Sequence, residues 1–420
     1  MSDDIDEVVE IVEHAEIAEP EPAPAEPRDG VPEVITTFAA LQAYADALAS
    51  GTGPLAVDAE RASGYRYSQR AYLIQLRREG AGSALIDPIK VPDLSVIAEA
   101  TTGVEWILHA ATQDLPCLAE VGLHPSSLFD TELAGRLLGR ERVNLGALVR
   151  SELGVVLEKG HGAADWSVRP LPANQLRYAV LDVEFLIELR NALHAALIED
   201  EKWEWAQQEF TALLDFRPRE RGEEAWRKTS GIHGVRKARN LAVVRELWRE
   251  RDRVAVRSDI ATGRILPDSA IVAAAIALPK NVDELSALAS FSGRGQQRRR
   301  STWWSAIERA YALADADLPA ITIAPTGPPP PRAWADRNPE AFARLEAAKS
   351  LVSDISESRG LPTENIVNPD LLRRLCWEPP AEITTFSVDQ ALRAAGAREW
   401  QSALLADALA TAWTKGDSSP

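Results

Sequence analysis

Four consecutive prolines, Pro328 to Pro331, limit what this chain can fold into more than any other feature. Each fixes its own φ near about −65° and removes a backbone donor, so no helix or sheet can run through them. The segment ITIAPTGPPPPRAW, Ile321–Trp334, is therefore expected to be a stiff, extended spacer. A chain of 420 residues must then be assembled from blocks on either side of it, and the length allows two or three domains. Two other stretches punctuate it. EPEPAPAEP, Glu19–Pro27, belongs to a Glu-, Pro- and Ala-rich segment with no aromatic residue and little to bury. RPRERGEE, Arg217–Glu224, reads as a linker. The expected organisation is a disordered acidic tail (1–33), a first block (34–215), a second (216–314), the proline-rich linker (315–336), a third block (337–413) and a disordered tail (414–420).

Within the first block, LAVDAE (Leu55–Glu60), AYLIQLR (Ala71–Arg77), SALID (Ser83–Asp87) and VEWILHA (Val104–Ala110) read as strands. Helices are expected over 36–50, 93–101, 114–121, 131–139, 144–153 and 173–197. Three strands in quick succession, followed by alternation of strand and helix, imply an α/β domain with a mixed sheet flanked by helices. The second and third blocks read as all-α. The longest apolar run, Ala270–Leu278, stops at Pro279 and is far short of the ~20 residues of a membrane span. Two cysteines cannot frame a disulfide scaffold, and no Cys/His cluster has zinc spacing. With no basic and apolar leader at the start, the expectation is a cytoplasmic protein without membrane contact.

Charge is distributed unevenly. The net charge is −17, yet residues 217–310 carry twenty bases and eleven acids. A basic module inside an acidic chain points to an anionic partner. Its densest cluster is GRGQQRRR, Gly293–Arg300, and Arg298, Arg299 and Arg300 are candidates for phosphate contacts because guanidinium binds phosphate bidentately.

Three motifs carry chemistry. Asp58-Ala59-Glu60 ends an apolar strand, where positions i and i+2 share a face, so both carboxylates project together. Buried like charges are costly unless a cation compensates, and hard dications prefer oxygen ligands. In HAATQD, His109–Asp114, a strand runs out and Asp114 falls at a helix start; His109 reads as a structural strand-end histidine. In Tyr178-Ala-Val-Leu-Asp182 the i, i+4 spacing stacks phenol and carboxylate on one helical face. Each motif alone has an ordinary reading: a solvated strand end, a first-turn acid, a tyrosine packed over a surface helix.

Together, Asp58, Glu60, Asp114, Tyr178 and Asp182 resemble, in order and context, the DEDD exonuclease superfamily in its tyrosine subclass. FDTELAGRLLG (Phe129–Gly139), NLGALVRSELGVVLEK (Asn144–Lys159), DWSVRPL (Asp165–Leu171) and QLRYAVLDVEFLIEL (Gln175–Leu189) extend the resemblance to the ribonuclease D family. WRKTSG (Trp226–Gly231), ARNLAVVRELWRERDRVAVRSD (Ala238–Asp259) and LPKNVDELSAL (Leu278–Leu288) resemble an HRDC domain, and residues 337–413 resemble a diverged second copy.

The resemblance implies a ribonuclease H-like exonuclease domain followed by two HRDC-type domains. It implies a 3′–5′ exoribonuclease that releases nucleoside 5′-monophosphates. Two divalent ions, Mg²⁺ or Mn²⁺, would sit on Asp58, Glu60, Asp114 and Asp182, with Tyr178 orienting the attacking water. The substrate would be RNA with a free 3′ end, tRNA precursors in particular, and the protein a monomer. Lys159, Trp166 and Arg169, just before the last motif, are candidates for gripping phosphate or stacking the terminal base. The competing readings are a DNA exonuclease of the same superfamily and a non-catalytic RNA-binding adaptor. The absence of a G-x-x-x-x-G-K-[ST] phosphate loop speaks against a helicase-linked DNA enzyme.

Overall fold

The structure is a computed structural model that describes residues 25–158, 160, 162–322 and 327–416. Its first block runs β1 (Val34–Ile35), α1 (Phe38–Ser50), β2 (Thr52–Arg61), β3 (Ala71–Glu79), β4 (Gly82–Ile86), α2 (Ser95–Ala100), β5 (Glu105–Leu108), α3 (Leu115–Ala119), β6 (Ser127–Asp130), α4 (Thr131–Leu137), α5 (Leu145–Leu153), α6 (Ala173–Glu184), α7 (Leu186–Glu199) and α8 (Trp203–Leu214). The strands form one sheet in the order β1-β4-β3-β2-β5-β6. β2 is antiparallel to β3 and parallel to β5, and β6 extends the parallel edge. Covered on both faces, β2 reads as a near-continuous apolar run, with Leu55, Ala56 and Val57 buried. The β3–β4 hairpin turns tightly because Gly80 and Gly82 both adopt positive φ, which other residues resist. The four expected strands are present. β1 and β6, with two and four residues, are too short to leave a periodic signal.

The second block contains α9 (Ala238–Ser258), α10 (Thr262–Ile265), α11 (Asp268–Ala277), α12 (Val282–Ala287), α13 (Arg294–Arg298) and α14 (Arg300–Ala312). It has its own core around Trp226, Leu247, Ile271, Phe291 and Trp303. The third contains α15 (Trp334–Arg337), α16 (Pro339–Arg359), α17 (Thr363–Ile366), α18 (Pro369–Trp377), α19 (Thr385–Ala394) and α20 (Glu399–Gly416). Its buried residues are continuous with the core beneath the sheet. The joint is aromatic and polar. Trp205 on α8 stacks on Trp400 with ring centroids 4.9 Å apart. The Trp400 indole donates to Glu209 at 3.0 Å, and Arg398 pairs with the same carboxylate at 3.3 Å.

Residues 25–33, expected within the disordered tail, are instead tied down; residues 1–24 lie outside the described residues. Ala25 N–H donates to Val156 O at 2.8 Å, and Arg177 forks onto Glu26 at 2.6 and 2.8 Å. Arg28 reaches the buried Glu184 at 3.6 Å and lies 4.7 Å from the Phe185 ring centroid. A buried carboxylate needs cations, and Arg28 with Arg77 (3.3 Å) supplies them.

Candidate active site

β2 ends with Asp58 and Glu60 on one face of the sheet, opposite Gln75 and Leu73 of β3. The next acid arrives through a fixed turn after β5. Ala110 adopts φ 57°, and the Ala110 and Ala111 N–H groups donate to the Asp130 carboxylate at 3.1 and 2.8 Å. The same carboxylate caps α4 by accepting from Glu132 N and Leu133 N. Asp130 thus clamps the turn that delivers Asp114 to the start of α3. Sequence reasoning did not single it out, although an aspartate directly before TELAG carries the signature of a helix N-cap. α6 supplies the last pair, and the Tyr178 hydroxyl hydrogen-bonds Asp182 one turn ahead.

These residues converge. Asp58, Glu60, Asp114, Tyr178 and Asp182 line a single cleft of about 470 Å³, together with Arg61, Ser63, Gly64, His109 and Leu145. Carboxylate oxygens of Asp58, Glu60 and Asp182 lie within 4.8 Å of one another, and Asp114 stands beside this group. Burial dominates their titration. It pushes Asp58 up to about 6. Burial, then the charges of Asp58, Asp182 and Asp114, push Glu60 up to about 10. Asp114 and Asp182 rise well above the usual carboxylate range for the same reasons. Arg61 works against these rises at Asp58, Glu60 and Asp114. Tyr178 is raised by burial and by the neighbouring acids, so its phenol keeps its proton at neutral pH.

The donor set consists of carboxylate oxygens crowded together, with Glu60 and Asp114 buried and Asp58 and Asp182 half-buried. Such a set fits hard divalent cations and has no evident use without them. His109 is pushed down to about 4 by burial and contacts Thr131 Oγ1 through Nδ1 at 2.9 Å, in keeping with a neutral strand-end histidine.

Two of the expected substrate contacts are corrected. Trp166 is 0% exposed and packed in a small core with Tyr72, Leu73, Ala179 and Val180, so it has no face to offer a base. Arg169 is committed to Asp87, at 2.6 and 3.0 Å, and donates as well to the carbonyls of Tyr72, Trp166 and Val168. It anchors the loop to the sheet instead of gripping phosphate. Lys159 lies outside the described residues. Arg298 and Arg300 are exposed and Arg299 is half-buried, on α13 and at the start of α14.

Comparison with known proteins gives a consistent account. Residues 32–198 match a family model described as a 3′-5′ exonuclease, and 240–307 match the HRDC domain. Residues 327–413 match a model described as the 3′ to 5′ exonuclease C-terminal domain. The ribonuclease D of Acidiphilium cryptum is 30% identical over 318 residues, covering 74% of this chain and 79% of that protein. That of Zymomonas mobilis is 33% identical, covering 68% and 74%. Among solved structures, a protein from Bifidobacterium adolescentis superposes with a TM-score of 0.86 at 38% identity, covering 93% of this chain and 99% of that one. Escherichia coli RNase D, described as an exoribonuclease involved in structured RNA processing, superposes with a TM-score of 0.66 at 26% identity, covering 91% and 98%.

Proposed function

The chain belongs to the ribonuclease D family, and from that premise we propose that this 3′–5′ exoribonuclease works through two divalent ions held by Asp58, Glu60, Asp114 and Asp182. The observation that carries the reading is the approach of the Asp58, Glu60 and Asp182 oxygens to within 4.8 Å in a partly buried cleft. Asp58 would be shared between the ions, with Glu60 and Asp182 completing one set and Asp114 the other. When bound, such a pair supplies the positive charge that the attacked phosphodiester and the departing 3′ oxygen need, and it acidifies a water.

The protein's own groups do the remaining work. Tyr178, held by Asp182 and kept protonated, orients the attacking water and does not remove its proton. Asp130 fixes the turn that aims Asp114. Leu145 and Leu186 wall the cleft and help exclude bulk water from the scissile bond. Arg298, Arg299 and Arg300 would hold upstream phosphates. The substrates would be structured RNA precursors with extended 3′ ends, tRNA among them, and the working unit a monomer.

Product analysis on a 3′-extended tRNA tests this. Stepwise release of nucleoside 5′-monophosphates in Mg²⁺, blocked by EDTA and abolished in Asp58→Ala and Asp182→Ala, is expected. A folded Asp182→Ala protein that trims RNA at a near-wild-type rate would refute the site. Faster loss of a matched DNA oligonucleotide than of RNA would refute the substrate class.

A further inference from the structure

The segment 62–70 joins β2 to β3 and carries Ser63 and Gly64 into the wall of the acidic cleft, directly after Arg61. Its turn closes on Ala62 O, which accepts from Tyr65 N at 2.8 Å and Arg66 N at 2.7 Å. Much of what then holds the segment comes from the HRDC block. Arg264 Nε donates to Gly64 O at 2.8 Å, and its guanidinium lies 4.1 Å from the Tyr65 ring centroid. Ala261 N–H donates to Tyr65 O at 3.0 Å. The Tyr67 hydroxyl donates to Asp252 at 3.0 Å, and its ring packs on the HRDC core.

Asp259 closes this set. It caps the C-terminus of α9 in the left-handed conformation, at φ 47°. A non-glycine residue adopts that conformation at a cost of about 1 kcal/mol. One carboxylate oxygen accepts from Ser68 N–H at 2.9 Å, and the other from the Tyr72 hydroxyl at 3.3 Å. Strain at a helix end is thus spent on aiming a carboxylate at the catalytic sheet.

A loop of this kind ordinarily belongs to the least stable part of a fold. Here the carbonyls of residues 64 and 65 and the amide of 68 are tied to a separate core. We infer that the HRDC block is a positioning element of the catalytic cleft: Asp259, Ala261 and Arg264 hold segment 62–70, and with it the Arg61–Gly64 wall, in the register that seats the terminal nucleotide. The block therefore acts on turnover of substrates too short to use its basic surface. This rests on the reading of the cleft as the hydrolytic site.

The test uses the full chain carrying Arg264→Ala, Asp259→Ala or Asp259→Asn. Readouts are kcat and KM on a 5′-phosphorylated RNA dinucleotide and on a single-stranded RNA of about 20 nucleotides, amide exchange across 62–70, and the unfolding midpoint. A displaced wall costs about tenfold or more in turnover, so kcat on the dinucleotide should fall by that factor in both alanine variants. Exchange across 62–70 should quicken while the unfolding midpoint holds. Asp259→Asn keeps an acceptor for Ser68 N–H and should recover part of the turnover.

Dinucleotide turnover within about twofold of wild type in both alanine variants, or a loss confined to KM on the longer RNA, would overturn the inference and leave the block an RNA grip alone. Should Asp259→Ala unfold, Arg264→Ala decides by itself, since that side chain is exposed. Failure of the wild type to release nucleotide would refute the catalytic reading instead.

Discussion

Replacing Asp58 with asparagine should destroy activity and stabilise the metal-free protein. Asp58 titrates near 3.8 when solvated and is pushed up to about 6 in the fold, chiefly by burial. Two pH units at ~1.4 kcal/mol each make the ionised side chain cost the fold about 3 kcal/mol. The sign follows from the direction. A carboxyl that is harder to ionise when folded costs nothing while protonated, below its unfolded value. It costs progressively more as pH rises through about 6, and the full amount above that. Asparagine pays none of this at any pH. At roughly 2–4 °C per kcal/mol for a domain of this size, Asp58→Asn should melt about 6–12 °C above wild type at pH 8 in EDTA. The gap should shrink to about half at pH 5 and close as pH nears 3.8. Mg²⁺ should raise the wild-type midpoint and move the variant much less. Differential scanning fluorimetry at the two pH values, with and without metal, reads all of this. A variant no more stable than wild type in EDTA at pH 8, or a gap indifferent to pH, would refute the claim that this cluster is a frustrated, cation-requiring site.

Tyr178→Phe should lower kcat about 10- to 100-fold while leaving the Mg²⁺-induced melting shift intact, as expected of a water-orienting hydroxyl. Asp130→Ala leaves four backbone donors without their acceptor, two of them on the turn leading to Asp114; urea unfolding should show a loss of about 2–4 kcal/mol. Arg169→Ala takes the cation from Asp87, which is 2% exposed and keeps the Ile89 and Lys90 N–H donors, and should cost about 3 kcal/mol in the same assay. Changing Arg298, Arg299 and Arg300 together to alanine should weaken RNA binding and lower the slope of log affinity against log salt by about 2; an unchanged slope would mean that the cluster only solvates its helices.

Local geometry made half of the site readable. The pleat of a strand brings Asp58 and Glu60 to one face, and one helical turn brings Tyr178 to Asp182. That Asp114 joins them depends on a chain reversal locked by Asp130, sixteen residues further on, and no periodicity announces it; only the family resemblance did. Trp166 and Arg169 depart from their sequence expectation for a related reason. A tryptophan and an arginine in a loop look available until the partner is known, and Arg169 finds its partner 82 residues earlier in sequence. The ordering of 25–33 has the same origin. Its composition is that of a disordered tail, but the carboxylate that anchors Arg28 belongs to the far end of α6.

The aromatic joint between α8 and the last block has a practical consequence. The proline tract looks like the place to trim the protein down to a minimal nuclease, yet the third block shares its buried core with the sheet across that tract. Cleavage there should sever the polypeptide without separating its pieces, which would co-elute on a sizing column. Expression of the upstream fragment alone would leave a tryptophan and a row of aliphatic side chains facing solvent, and should yield inclusion bodies.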